Sequence, residues 1–177
     1  MKLIHILIYS GHMKHTIYLA VGANVGNNEE NITQAILHLQ KNIPYISVAP
    51  IYETTPWGFL EQGIFLNTVL IGETLLSPDE LLLFLQAVEK KVGRIKRFQN
   101  GPREIDIDII FYDDVIMRSA TLQIPHQRMH ECDFVLQPLH DIAPDFIHPM
   151  LQRTVKQLLN ALTVERYIVK KVGDLSV

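Results

Sequence analysis

The apolar positions of this chain fall into two periods, two and about 3.6, and the alternation between them lays out the elements. Residues 16–21 (Thr-Ile-Tyr-Leu-Ala-Val) are dense in β-branched and aromatic side chains and run into the turn-forming cluster Gly22-Ala23-Asn24-Val25-Gly26-Asn27. Ile32, Ala35, Ile36 and Leu39 then recur at helical spacing, so strand, loop and helix follow in that order. Residues 46–52 and 65–71 predict two further strands, separated by Glu53-Thr54-Thr55-Pro56-Trp57-Gly58-Phe59, where proline and glycine end regular structure. Ser77-Pro78-Asp79-Glu80 offers an N-cap, a proline at the first helical position and early acids, so a helix is predicted over 81–92 with Gly93 as its stop.

A basic connection, 94–103, leads to Ile105-Asp106-Ile107-Asp108-Ile109-Ile110-Phe111, a strand that alternates strictly at its start. Beyond it the pattern predicts a short hairpin through Asp113-Asp114, a segment over 124–134, an apolar stretch to Leu139 and a last helix around 155–162. The order β-α-β-β-α-β, with hairpin neighbours rather than regular βαβ alternation, predicts an α+β fold. The form expected is a ferredoxin-like α/β sandwich with a mainly antiparallel sheet and helices packed on it.

Length changes little in this picture: 177 residues suit one domain, expected over 13–177. Residues 1–12 contain a short apolar run broken by His5, too short for a spanning helix, and Met13 stands just before a better strand. They are expected to be an N-terminal extension outside the fold, with no membrane role. A formal net charge of -3 argues against broad nucleic-acid binding, which draws its affinity from Lys and Arg displacing counterions. With Cys132 alone, no intrachain disulfide and no cysteine zinc cluster can form, so a reducing, cytoplasmic setting is expected.

Chemistry concentrates around Asp106 and Asp108. Two apart in a strand, they share one face while Ile105, Ile107 and Ile109 take the other. With Cα atoms about 7 Å apart, the carboxylates repel each other in a dry site, and a divalent cation turns that repulsion into binding; oxygen-only ligation points to magnesium. A strand face that simply meets water has the same pattern. Arg94, Lys96, Arg97 and Arg103 stand close by in the chain, with Gly101-Pro102 between them, and cations beside a metal are what phosphoryl or pyrophosphoryl transfer requires. No Gly-x-x-x-x-Gly-Lys-[Ser/Thr] loop is present. His126 can donate to a phosphate, and Trp57, Phe65 and Phe134 can stack a flat heterocycle whose amide edge Asn67 would read, although aromatic side chains are core by default.

Gly101-Pro102-Arg103-x-Ile105-Asp106-Ile107-Asp108-Ile109-Ile110 resembles the pattern of the hydroxymethyldihydropterin pyrophosphokinases. Four more segments resemble that family in the right order: Gly22-Ala23-Asn24, Tyr52-Glu53-Thr54-Thr55-Pro56-Trp57-Gly58, Phe65-Leu66-Asn67, and Pro125-His126-Gln127-Arg128-Met129-His130-Glu131 leading to Phe134. The resemblance implies pyrophosphate transfer from ATP to 6-hydroxymethyl-7,8-dihydropterin in folate biosynthesis, with two Mg2+ ions on Asp106 and Asp108. It implies catalytic roles for Arg94, Arg103, Asp106 and Asp108, and contacts to ATP from Glu89, Arg94, Lys96, Arg103, Ile109 and His126. Thr54, Thr55, Pro56, Trp57, Phe65, Asn67 and Phe134 would hold the pterin. The loops at 54–63 and 94–101 would close over ATP, and a monomer, at most a weak dimer, is expected. Cys132, Lys96 and Asn100 depart from the family pattern, the first two where arginine is frequent and the third where an aromatic is.

Two readings from other classes stand beside it. A metal-dependent nucleotide-sugar transferase would also use Asp106-x-Asp108, but the chain is short for that class. A ferredoxin-like binding module without turnover would leave the carboxylates merely exposed.

Overall fold

The computed structural model describes residues 13–163 and 166–175, so the expected extension at 1–12 lies outside the described residues. The strand predicted over 16–21 is β1 (His15–Ala23), and the first helix is α1 (Asn28–Leu39). Asn27 caps α1 by accepting from the backbone N–H of Glu30, and Ile32, Ala35, Ile36 and Leu39 form its buried stripe.

The strand expected over 46–52 is broken in two, β2 (Ile46–Val48) and β3 (Ile51–Thr54), both paired with β4 (Phe65–Thr74). Pro50 has no N–H to give the ladder, while the preceding Ala49 N–H still reaches Val69 O at 2.9 Å.

Helix α2 (Pro78–Val92) starts where Ser77 donates from both its N–H and its hydroxyl to Glu80 Oε2, at 2.9 and 2.6 Å. It ends at Gly93, whose φ of 108° is left-handed and whose N–H reaches the carbonyls of Glu89 and Lys90.

Next comes β5 (Asp106–Tyr112), antiparallel to β1 with a bulge at Ile110, so strict alternation holds only up to Ile109. Asp113, at φ 46°, ends this strand but turns no hairpin. The hairpin pairs β6 (Met117–Arg118) with β7 (Gln123–Ile124) and closes through Ser119, whose N–H reaches Leu122 O at 2.8 Å.

A single 3-10 turn at Met129–Glu131 leads into α3 (Asp133–Ile142), where the sequence had suggested only an apolar stretch; Pro138 inside the helix masks the pattern. Then follow α4 (Val155–Asn160), capped by Thr154 and Gln157, and β8 (Ile168–Gly173). That last strand was not anticipated, because its four central residues are exposed and carry no alternation.

The main sheet runs β5-β1-β4-β3-β8, with β2 also on β4, and each of its pairings is antiparallel. The expected α+β sandwich is therefore present, with one layer more than the sequence suggested. Ile17, Leu19, Val21, Ile107 and Ile109 pack on α1 and α2, while Tyr18, Val69, Ile110 and Phe111 pack on α3 and α4 at the opposite face. Among the described residues no helix is long and apolar enough to cross a membrane.

Candidate active site

Helices α3 and α4 cover only part of their sheet face. Along β1 and β4 the covered pairs are Tyr18 with Ile71 and Ala20 with Val69; one step further, Gly22 pairs with Asn67 and no helix follows. The methyl of Ala20 and the bare backbone of Gly22 stand opposite Asp108 and Asp106 of β5, which leaves depth above the sheet. Loops 55–64 and 94–105 rise around that opening and form a cleft of about 720 Å3, within the range for a bound small molecule. An added Cβ on Gly22 would lie 2.4 Å from Asn67 Oδ1, so the absence of a side chain lets the asparagine amide lie across the strand.

At one end of the cleft the carboxylates and cations meet. Asp106 Oδ1 pairs with Arg94 Nη1 at 2.6 Å and Asp106 Oδ2 with Arg103 Nη1 at 2.8 Å. Arg94 also pairs with Glu89, whose Oε1 accepts from Ile107 N–H at 2.8 Å. Burial raises the Glu89 carboxyl, and the positive charge of Arg94 works against that rise. Gly93 makes this arrangement reachable: its left-handed turn brings Arg94 back over the end of α2, with Arg94 N–H on Glu89 O at 3.0 Å.

The Asp108 carboxylate makes no hydrogen bond or ion pair among the described residues. Water reaches its side chain from the cleft, yet protein atoms crowd its carboxyl on the other sides. That burial, with the Asp106 charge second, raises it well above the usual carboxylate range. His126, on the cleft wall, is held low by burial against the pull of Asp106, so its imidazole is neutral; its Nδ1 is buried without a partner among the described residues.

At the other end lie the aromatic groups. Phe65, Trp57 and Phe134 line the cleft, with the Arg103 guanidinium 5.4 Å from the Phe65 ring and the Arg128 guanidinium 4.4 Å from the Trp57 ring. Asn67 Nδ2 donates to Thr54 Oγ1 at 2.7 Å, so Thr54 orients the amide, and Thr55 lies beside it.

Three residues named from the sequence do not line the cleft. Glu89 stands behind Arg94 and reaches the site only through it; Ile109 faces α1 and α2, while Ile110 takes the cleft side; Pro56 is buried in the loop. Lys96 lines the cleft as an exposed side chain. Arg97 is held by Glu104 at 2.6 Å, and that bond holds the Glu104 carboxyl down at about 2. Cys132 also borders the cleft, and burial pushes its thiol up to about 12, where it stays protonated.

Sequence reasoning did not find the residues that tie the loops together. Asn24 exchanges two hydrogen bonds with the Arg103 backbone, at 3.0 and 2.8 Å, and donates to Gln62 Oε1 and Gly63 O. Gln62 in turn donates to Phe59 O and Asn100 O, and the Phe59 and Phe98 rings meet edge-on at 5.0 Å. Asn100 thereby finds its role, at a φ of 59° that asparagine tolerates, as the point where loop 94–105 accepts from loop 55–64. Only the turn-forming character of Gly22-Ala23-Asn24 hinted at any of this.

Asp106 and Asp108 fit an oxygen-ligated divalent cation: they share one face, and the raised Asp108 carboxyl gains from a neighbouring positive charge. Among the described residues no third His, Cys, Asp or Glu joins them. Magnesium is commonly held this way, by one or two carboxylates with substrate phosphates and water completing the shell.

An antiparallel α+β sandwich that gathers two carboxylates, two arginines and three aromatic rings around one cleft has the donors and faces to hold a polyphosphate beside a flat ring. The chain belongs to the 7,8-dihydro-6-hydroxymethylpterin-pyrophosphokinase (HPPK) family, whose model matches residues 18–144. It is 44% identical over 142 residues to the 2-amino-4-hydroxy-6-hydroxymethyldihydropteridine pyrophosphokinase of Aquifex aeolicus, covering 80% of this chain and 89% of that one. The Bacillus subtilis protein of the same name is 38% identical over 132 residues, covering 73% and 79%. Among solved structures, wild-type HPPK-DHPS of Plasmodium falciparum superposes with a TM-score of 0.67 at 16% identity, covering 84% of this chain and 44% of that longer one, which shows a common fold.

Proposed function

We propose that this protein transfers the β,γ-pyrophosphate of ATP to the hydroxymethyl oxygen of 6-hydroxymethyl-7,8-dihydropterin in folate synthesis. A new O–Pβ bond forms, the bond between Pβ and the α,β-bridging oxygen breaks, and AMP leaves. One observation carries the reading: in a chain of this family, a single cleft joins the Asp106, Asp108, Arg94 and Arg103 cluster to Phe65, Asn67 and Phe134.

Two magnesium ions held by Asp106 and Asp108 would neutralise the triphosphate and make Pβ more electrophilic. Arg94 and Arg103, held beside Asp106 by their ion pairs, would offer guanidinium donors to the phosphate oxygens. Glu89 keeps Arg94 aimed, because the Oε1 that pairs with Arg94 is itself fixed by the Ile107 N–H. The neutral His126 ring offers a donor to the polyphosphate without adding charge, and Lys96 adds an ammonium at the rim.

On the ring side, Phe65 and Phe134 give the pterin its apolar faces while Asn67, held by Thr54, reads its amide edge with backbone groups near Thr55 and Trp57. The tied loops 55–64 and 94–105 would close over bound ATP and exclude water that would otherwise hydrolyse it.

The test is AMP release from ATP and Mg2+ by the full chain, with and without the pterin. Pterin-dependent AMP is expected, and Asp108→Ala should lower it by on the order of a thousandfold or more with the fold retained. An active Asp108→Ala enzyme would falsify the carboxylate assignment, and ADP as product would make the protein an ordinary kinase.

A further inference from the structure

The family model stops at residue 144, yet a tie between the two walls of the ring-binding half comes from beyond it. Tyr167, just before β8, sits between them. On one side its carbonyl accepts from Thr55 N–H at 2.8 Å, continuing the pairing of Thr54 with Ile168 at the end of β3. On the other side its ring meets the Phe134 ring edge-on, centroids 5.8 Å apart and planes at 87°.

The fully buried Asp133, first residue of α3 and neighbour of Phe134, fixes the same point. Its Oδ2 accepts from the N–H groups of Tyr167 and Ile168, at 2.9 and 3.1 Å. A buried carboxylate spent on two backbone donors 34 and 35 residues away serves little purpose but to set where those donors lie relative to α3. Thr55 follows β3 and Phe134 belongs to α3, and both are held to one residue.

We propose that Tyr167 is a positioning residue for the pterin half of the site, setting the spacing between the β3 end at Thr54 and Thr55 and the Phe134 ring; this rests on the pterin reading above. Its ring meets Phe134 and its carbonyl meets Thr55, both on the ring-binding wall, so its influence falls on the pterin. An edge-to-face pair of this kind converts to a change of about 3- to 10-fold in affinity.

The experiment compares wild type, Tyr167→Ala and Tyr167→Phe in the full chain, measuring KM for each substrate at saturating levels of the other. Tyr167→Ala should raise the KM for the pterin about 3- to 10-fold while leaving the KM for ATP and kcat within about twofold of wild type. Tyr167→Phe, which keeps the ring edge and the backbone carbonyl, should restore the wild-type value. Should Tyr167→Ala not fold, Tyr167→Leu takes its place, with the affinity for a non-hydrolysable ATP analogue reporting an intact fold. Equal rises in both KM values, an unchanged pterin KM, or a Phe variant as impaired as the Ala variant would each overturn the assignment. Wild type without pterin-dependent AMP would sink the functional reading and this inference with it, whereas active wild type with an unaffected Ala variant sinks only this one.

Discussion

Asp108 is the residue at which stability and the proposed cation-binding role pull apart. Its carboxyl is raised by burial and by Asp106, so folding costs more once it ionises. For an acid whose folded pKa lies above its unfolded one, that cost is absent at low pH, grows as pH passes the ordinary carboxylate value and is complete above the raised one. Asp108→Asn should therefore melt at a higher temperature than wild type at pH 8 in chelator, with the gap closing as pH falls toward about 4. Calorimetry across that range decides it, and a gap that does not move with pH would mean that charge is not the cause. The Asp-x-Asp face was legible beforehand because side chains alternate along any strand. That Arg94 and Arg103 would clasp Asp106 from both sides was not, since it depends on how the chain returns from α2.

Helix α2 was the most legible element, because Ser77, Pro78, Glu80 and Gly93 act within one turn of its ends. Gly93 is also the clearest place to test such a local rule. Its φ is 108° and nothing lies within 4 Å of an added Cβ, so Gly93→Ala meets backbone strain alone. The expected cost is about 1 kcal/mol, or roughly 2–4 °C in Tm for a chain of this size. A larger loss of kcat than this stability change explains would show that the turn also aims Arg94. Elements whose signals are not local were misread. Pro50 splits one expected strand, Pro138 hides α3, and β8 carries no pattern because it lies on an edge with one neighbour and little to bury.

For the whole molecule the decisive feature is the second helical layer. Phe111 is fully buried there and meets Tyr18, Phe146 and His148, with the Tyr18 and His148 contacts edge-on. Phe111→Ala should cost about 3–5 kcal/mol in urea unfolding, as a large side chain lost from a packed core does. A loss near 1 kcal/mol would mean that α3 and α4 are loosely docked. This layer gives the cleft its shape, since it covers the Tyr18, Ala20 and Val69 stretch of the sheet face and leaves the Gly22 and Asn67 end open.

The sequence by itself determined the periods, the caps, the α+β class and the pairing of Asp106 with Asp108 on one face, because each follows from neighbours a few positions apart. It also carried the family, through short segments in a set order that resemble one kind of enzyme. Only the tertiary structure decided which cations are spent on protein carboxylates and which of Glu89, Ile109 and Pro56 stand back from the cleft. It alone tied loop 55–64 to loop 94–105 through Asn24 and Gln62, and drew Tyr167 to the Phe134 ring. Those are contacts between segments tens of residues apart, set by how two helical layers share one sheet, and no local pattern encodes them.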